Sequence, residues 1–435
     1  MATLKYDIQR EIPVVLRADV VVVGGGPGGV CAAVAAARNG ANTVLIERYG
    51  ALGGMASFGE VSPFMSNHAC GKYLTKGVFN EWCSRMRKYL ESEIKQQHFD
   101  ESYVDFFSRI VDKNVTMLVL EELCLESGVK LLYHHNLCDV IMEQDRIKAA
   151  VFSSKSGFAA VEGKVFIDST GDGDLAVLSG CEAMTGNSDG LCQPMTTCFK
   201  LSGIDRSLYP DRKGVNEIYD KLKAEGKIDC PRENVLWFNT WSGDTVHYNT
   251  TRVVKKSGVD ASELSEAEIE GRRQVREFFH FLKAHVPGCE NARISSIAHH
   301  IGIRETRRIK GLNVQTSADF DAARKYPDAV ARASYSIDIH NPSGCGTYIK
   351  KIAKDDYYEI SYRAIVPEKS VNLLMGCRAI SVDHELHSSS RVMPPVCAVG
   401  EGAGTAAALA VQNGTDPSQL DGKLVNAKLR ENGVL

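Results

Sequence analysis

A chain of 435 residues exceeds what a single hydrophobic core usually serves, so two domains are expected. Apolar content of 44% and charged content of 24% are those of a soluble globular protein, and no apolar run approaches a membrane span. A net charge of -3 with no basic run excludes a surface built for nucleic acid or another polyanion.

The first element is the most telling. The apolar run Val20–Val23 leads into Gly24-Gly25-Gly26-Pro27-Gly28-Gly29, an alanine-rich stretch, and a second apolar run, Thr43–Ile46, that ends in Glu47. Strand, glycine turn, helix, strand and acid form the dinucleotide-binding unit. Gly24 serves the tight turn, Gly26 the approach of a pyrophosphate, and Gly29 the packing of helix on strand. Pro27 and Gly28 open that helix, whose free amides suit a pyrophosphate. Glu47 is placed to accept the hydroxyls of an adenosine ribose. Arg48 follows, and then a second glycine pair, Gly53-Gly54, before Met55. Such a pair soon after the ribose acid is typical of flavoproteins and points to FAD; an ordinary surface turn is the alternative.

Val78, Phe79, Trp82, Met86 and Leu90 fall on one face of a helical stretch between Lys72 and Ser108. A further helix is predicted over Val115–Glu126. Short strands follow at Lys130–His134, Leu137–Met142, Lys148–Ser153 and Gly157–Val161, then a buried strand at Lys164–Asp168. That strand runs into Ser169-Thr170-Gly171-Asp172. Beyond it, strands are expected near Met195–Leu201, Val235–Thr240 and Thr245–Thr251. A long helix spans Ser262 to His285, capped at Ser265 or a neighbour and ended by Pro287-Gly288. Tyr357–Val366 and Leu373–Met375 return to the first domain. Gly400, Gly402, Ala403, Gly404 and Thr405 read as a glycine turn opening a final helix, with its positive end toward a cofactor.

The thirteen cysteines include no CxxC pair, so no metal or iron–sulfur site is expected and a reducing cytoplasm is the expected compartment.

Four segments together resemble a known family: the N-terminal fingerprint with Gly53-Gly54, Ile167 to Ala176, Ile301 to Gly311, and Asn372 through Ala410. They look like the FAD-dependent oxidoreductases related to the flavin subunit of heterodisulfide reductase, and more distantly like glutathione-reductase-like flavoproteins and fumarate reductase flavoprotein subunits. The resemblance implies a Rossmann-like FAD-binding domain of parallel sheet, helices and three-stranded meander, with an inserted α+β substrate domain. The expected plan is FAD-binding segments at 1–71, 113–187 and 361–435, a helical insertion at 72–112, and a substrate domain at 188–360. It also implies FAD and redox chemistry, with Asp168, Gly171 and Asp172 near the cofactor.

Catalytic candidates come from charge set in apolar surroundings. Arg304 lies among Ile301, Ile303 and Ile309 and suits a substrate carboxylate or a flavin carbonyl; an Arg–Glu network joining domains is the alternative. Asp338 and His340 share one side of a strand, which would tune His340 as a base near neutral pH. Arg391 is the next candidate for an anion or the flavin, and Gln193 for a flavin contact. His384 and His387 are expected to border the flavin ring, His299-His300 to lie near the site, and His134-His135 to be structural. The expected activity is hydride transfer between a small organic substrate and flavin N5, with the electron acceptor open and a homodimer a further expectation. An electron-relay subunit and a NAD-binding protein without flavin are the alternatives.

Overall fold

The computed structural model describes residues 11–90 and 110–435. Strand β1 (Val14–Val23) leads through Gly24–Gly26 into helix α1 (Pro27–Arg38) and back to strand β2 (Thr43–Ile46), which pairs with β1 in parallel. Val20 to Val23 are buried, as a parallel strand covered on both faces requires. Helix α2 (Gly77–Tyr89) buries Val78, Phe79, Trp82 and Met86, the stripe its spacing predicted. The remainder of that expected stretch, 91–108, lies outside the described residues. Helix α3 (Lys113–Glu126) starts at Asp112, whose side chain accepts from the amides of Asn114 and Val115.

Strand β3 (Lys130–Leu132) joins β2 in parallel. A meander follows: β4 (Asn136–Glu143), β5 (Arg146–Ser154) and β6 (Gly157–Asp168). The two strands expected at Gly157–Val161 and Lys164–Asp168 are one. Gly163, between the two expected strands, lets β6 lie close on β1: a Cβ there would sit 2.6 Å from a Val21 methyl.

A second unit follows with its own core. Strands β7 (Phe199–Ser202), β8 (Trp237–Asn239), β9 (Val246–Tyr248) and β10 (Arg293–Ile297) form an antiparallel sheet in the order β8-β9-β7-β10. Helix α4 (Ala261–His285) covers it, bringing Phe278 beside Phe199 and Tyr219. Its cap is Asp260, which accepts from the Glu263 amide at 2.9 Å; Ser265 lies a turn inside and bonds back to the Ala261 carbonyl. This second core runs from Phe199 to Ala292, narrower than 188–360, because Phe320, Val330, Tyr358 and Ile360 belong to the main core.

The hairpin of β11 (Ile337–His340) and β12 (Thr347–Lys350) projects next. Strand β13 (Leu373–Met375) then completes the main sheet beside the C-terminal half of β6, in parallel. The sheet order is β3-β2-β1-β6-β5-β4, with β13 on β6.

Helix α5 (His384–Ser390) packs against β11, α6 (Met393–Asn413) lies on the main sheet, and α7 (Gly422–Glu431) ends the chain. Here the expectation for the C-terminal glycines is corrected. Helix α6 starts after Val392 with proline in its first turn, as helix starts favour, so Gly400, Gly402, Ala403, Gly404 and Thr405 lie inside it. Gly400 and Gly404 are glycine because backbones meet there, and Gly402 because the Val330 side chain lies against it. A Cβ on Gly400 would lie 2.0 Å from the Gly28 carbonyl oxygen, and one on Gly404 would lie 2.0 Å from that of Ala32. Among the described residues no helix is long and apolar enough to cross a membrane.

The same helix buries Glu401, whose carboxylate accepts from the Val78 amide at 3.2 Å. Burial pushes its pKa up to about 7 from 4.5. Between those values the folded chain binds more protons than the unfolded one, so this group's effect on stability worsens as pH rises from about 4.5 to 7. Glu401→Gln keeps an acceptor and removes the ionisation. It should raise stability at pH 8 by on the order of 3 kcal/mol or less, with little gain at pH 4. Urea midpoints at the two pH values measure this; an equal gain at both would contradict it.

Candidate active site

The fingerprint builds a cavity along the C-terminal ends of β1, β2 and β6, where ligands of open α/β sheets bind. Its glycines divide by what they face. A Cβ on Gly24 would meet the Ser169 carbonyl oxygen at 2.3 Å, and one on Gly29 the Gly24 carbonyl oxygen at 1.9 Å, so both serve the protein's own packing. Around Gly26 nothing lies within 4 Å of a Cβ position; it faces the cavity, which Pro27, Gly28 and Gly54 also line. Gly53 has φ +108° and donates its amide to the Gly25 carbonyl at 2.8 Å. It shapes the turn without lining the cavity.

Glu47 is buried at the end of β2 and lines the cavity. Its carboxylate accepts from the Gly25 amide at 2.6 Å and the Tyr49 amide at 2.9 Å, which fixes its orientation. Arg48 and Met55 line the wall beside it. Gly171 and Asp172 line the cavity as well, but Asp168 does not. Asp168 Oδ1 takes the Thr170 amide and hydroxyl and Oδ2 takes the Ala176 amide, so it holds the turn rather than a ligand. Burial pushes its pKa up to about 6.

A second cavity opens between the two units, walled by Met55, Val61, Leu236 and Phe238 and by Arg304, Asp338 and His340. The two cavities share Met55, Ile303, Arg378, Arg391 and Met393. Arg391 closes α5 and immediately precedes α6, so its guanidinium and the positive end of α6 gather at this junction. Its Nη2 donates to Gln193 Oε1 at 3.3 Å, which puts Gln193 behind Arg391.

Arg304 donates to the Pro194 carbonyl at 2.7 Å and to Thr196 Oγ1 at 2.5 Å. Among the described residues it pairs with no carboxylate, and burial with neighbouring Arg391 and Arg232 lowers its pKa to about 9. The alternative of an Arg–Glu network belongs to other members of its segment. Arg308 and His384 share Glu305, and Arg307 pairs with Asp174 at 2.8 Å.

His340 lies on β11 beside Asp338 as expected, but its chemistry differs from the expectation. Its Nδ1 faces Arg252 Nη2 at 3.2 Å and Thr347 Oγ1 at 3.1 Å. A guanidinium only donates, so this Nδ1 accepts and the hydrogen sits on Nε2, a tautomer inferred from the partner. Nε2 is 3.7 Å from Asp338 Oδ1, too far for a hydrogen bond. Burial, then Arg304, Arg391, Arg232 and Arg252, hold its pKa well below the usual imidazole value. The carboxylate expected to tune it upward is outweighed, so His340 stays neutral and donates.

The other histidines also redistribute. His135, expected to be structural, lines the first cavity together with His300. His384 is tied to Glu305, and buried His387 lines neither cavity. Sequence reasoning missed Arg378, which follows β13 and pairs with Asp172 at 2.6 Å. Its signal was position: it stands just past the C-terminal end of a sheet strand.

The first cavity fits FAD on this chain's own evidence: Gly26 leaves room for a pyrophosphate and Glu47 stands at the ribose end. Arg378 and Arg391 each keep a buried Nε without an acceptor at the junction, where a flavin's carbonyl-rich edge would supply one. No group of three or more metal-ligating side chains occurs among the described residues.

A nucleotide cradle meeting a second, charged cavity is the arrangement of a dinucleotide-dependent enzyme. The model of the FAD dependent oxidoreductase family matches residues 19–429, so the chain belongs to that family. The reading of a NAD-binding protein without flavin is thereby corrected. Dihydrolipoyl dehydrogenase of Trypanosoma brucei brucei is 54% identical over 46 residues, 11% of this chain and only 10% of that protein. Among solved structures, a geranylgeranyl bacteriochlorophyll reductase-like protein (Ta0516) from Thermoplasma acidophilum is 13% identical with TM-score 0.47, over 96% of this chain and 84% of that one. L-proline dehydrogenase from P. horikoshii is 13% identical with TM-score 0.43, over 98% and 100%.

Proposed function

We propose that the protein transfers a hydride between a small anionic organic substrate, held in the second cavity, and FAD in the first. The observation that carries this is the junction: two cavities of different character share Arg391 and Met393 and so adjoin one another. FAD, when bound, supplies the hydride acceptor or donor at N5. The protein's part is position and charge. Glu47 and Gly26 hold the nucleotide end, Arg391 and the start of α6 set positive charge at the ring end, and Arg304 binds the substrate's anionic group. His340 offers Nε2–H as a fixed donor. A kinship with the heterodisulfide reductase flavin subunit would suit an electron relay instead, but a cavity lined by an unpaired guanidinium favours a substrate.

Anaerobic mixing of the flavin-loaded protein with carboxylic acids, amines and sugars tests this by loss of the flavin band near roughly 450 nm. Arg304→Met should keep FAD bound and raise KM for a carboxylate substrate about 10- to 100-fold, the usual worth of a hydrogen bond to a charged group. Bleaching by uncharged sugars alone, undiminished in Arg304→Met, would overturn the reading.

A further inference from the structure

Arg304 and Asp338 both line the second cavity and neither lines the first. They carry opposite charge in one cavity yet do not form an ion pair with each other. Arg304 gives its hydrogen bonds to a carbonyl and a hydroxyl, and Asp338 takes one from the Tyr335 hydroxyl at 2.9 Å. The side chain of Asp338 is only 15% exposed; among the described residues its carboxylate has only His340 Nε2, at 3.7 Å, as an ion-pair partner within 4 Å, while Arg391 Nη2 reaches its backbone carbonyl at 3.4 Å. That imidazole is held neutral by its position against Arg252. Two opposite charges sequestered in one cavity without an ion-pair partner are costly unless something completes them.

The other guanidinium groups at this cavity are committed elsewhere. Arg378 pairs with Asp172, and Arg391 stands at the junction and belongs to both cavities. The charge facing the second cavity alone is therefore one cation and one anion. Met55, Val61, Leu236 and Phe238 supply an apolar remainder.

We propose that the substrate is an α-amino acid with an apolar side chain, bound as its zwitterion with the carboxylate on Arg304 and the ammonium on Asp338. This rests on the reading of the second cavity as the substrate site of an FAD enzyme. A dicarboxylate would set its second charge against Asp338, and an amine without a carboxylate would leave Arg304 unanswered. The corresponding oxidation balances: the bound ammonium first gives one proton to solvent, the Cα–H of the resulting amine leaves as a hydride to the flavin, and the nitrogen lone pair forms the C=N bond of the iminium acid.

The flavin-loaded protein, kept anaerobic, is titrated with matched probes: D- and L-leucine, 4-methylpentanoate and 3-methylbutylamine, then D- and L-alanine, propionate and ethylamine. Binding is read from the shift of the visible bands and from the melting temperature. An amino acid should bind at least about 10-fold more tightly than either of its halves, one charge-assisted contact being worth that much or more. Asp338→Asn should weaken the amino acid by at least about 10-fold and tighten the carboxylate probe, because it removes a repulsion. Arg304→Met should weaken both. A merely structural Asp338 would not move the two probes in opposite directions. Carboxylate probes that match the amino acids on the unaltered protein, or no binding by any of the amino acids, would overturn the proposal without need of a variant. A protein that takes up no FAD would overturn the underlying reading instead, and would show this before any probe is added.

Discussion

Gly26→Val is expected to give a folded protein that takes up no FAD. Gly26 is the N-cap of α1 with φ −70° and ψ −177°, a conformation any residue adopts, and its Cβ position is open to the cavity. The valine therefore strains nothing in the protein and fills only the space proposed for the pyrophosphate. Overpacking of about 3 kcal/mol against the cofactor corresponds to at least about 100-fold in affinity. Gly29→Val makes the contrast, since its Cβ would lie 1.9 Å from the Gly24 carbonyl oxygen. That variant should lose the fold along with the flavin. Circular dichroism and flavin uptake, measured on both, separate the two glycines; a yellow Gly26→Val protein would remove the fingerprint from the account.

The second large effect lies where α1 crosses α6. Gly404→Val should destabilise the protein by about 3 kcal/mol or more, because its Cβ would meet the Ala32 carbonyl oxygen at 2.0 Å. Backbone cannot yield there as a flexible side chain would, and Gly400 makes the same approach to Gly28. The loss should appear in urea unfolding of the protein without cofactor. A variant of unchanged stability but weakened FAD binding would instead restore these glycines to the cofactor site.

That crossing also shows what could and could not be read from residues alone. The first strand, turn, helix and acid were legible because each has a local cause: a doubly buried strand, a cramped turn, a carboxylate at a strand end. Gly400-x-Gly402-x-Gly404 carries the same letters with another cause, since a glycine that admits a helix and one that admits a phosphate look alike in sequence. The start of α6 was nonetheless written in Pro394-Pro395, residues suited to a first helical turn. Arg304 stood out as a cation among apolar residues, and Arg391 by its place just before the C-terminal helix. The state of His340 was not legible, because it is set by burial and then by Arg304, Arg391 and Arg252, which come from distant parts of the chain. Arg378 was overlooked for a similar reason: only the return of β13 to the first sheet brings it to the cavity.

The structure of the protein with FAD bound tests the central claim most directly. The account predicts the adenosine ribose beside Glu47, the pyrophosphate over Gly26, and the flavin ring at the junction within about 3 Å of a donor from Arg391 or Arg378. A ring lying away from that junction, with the second cavity closed off from it, would contradict the account.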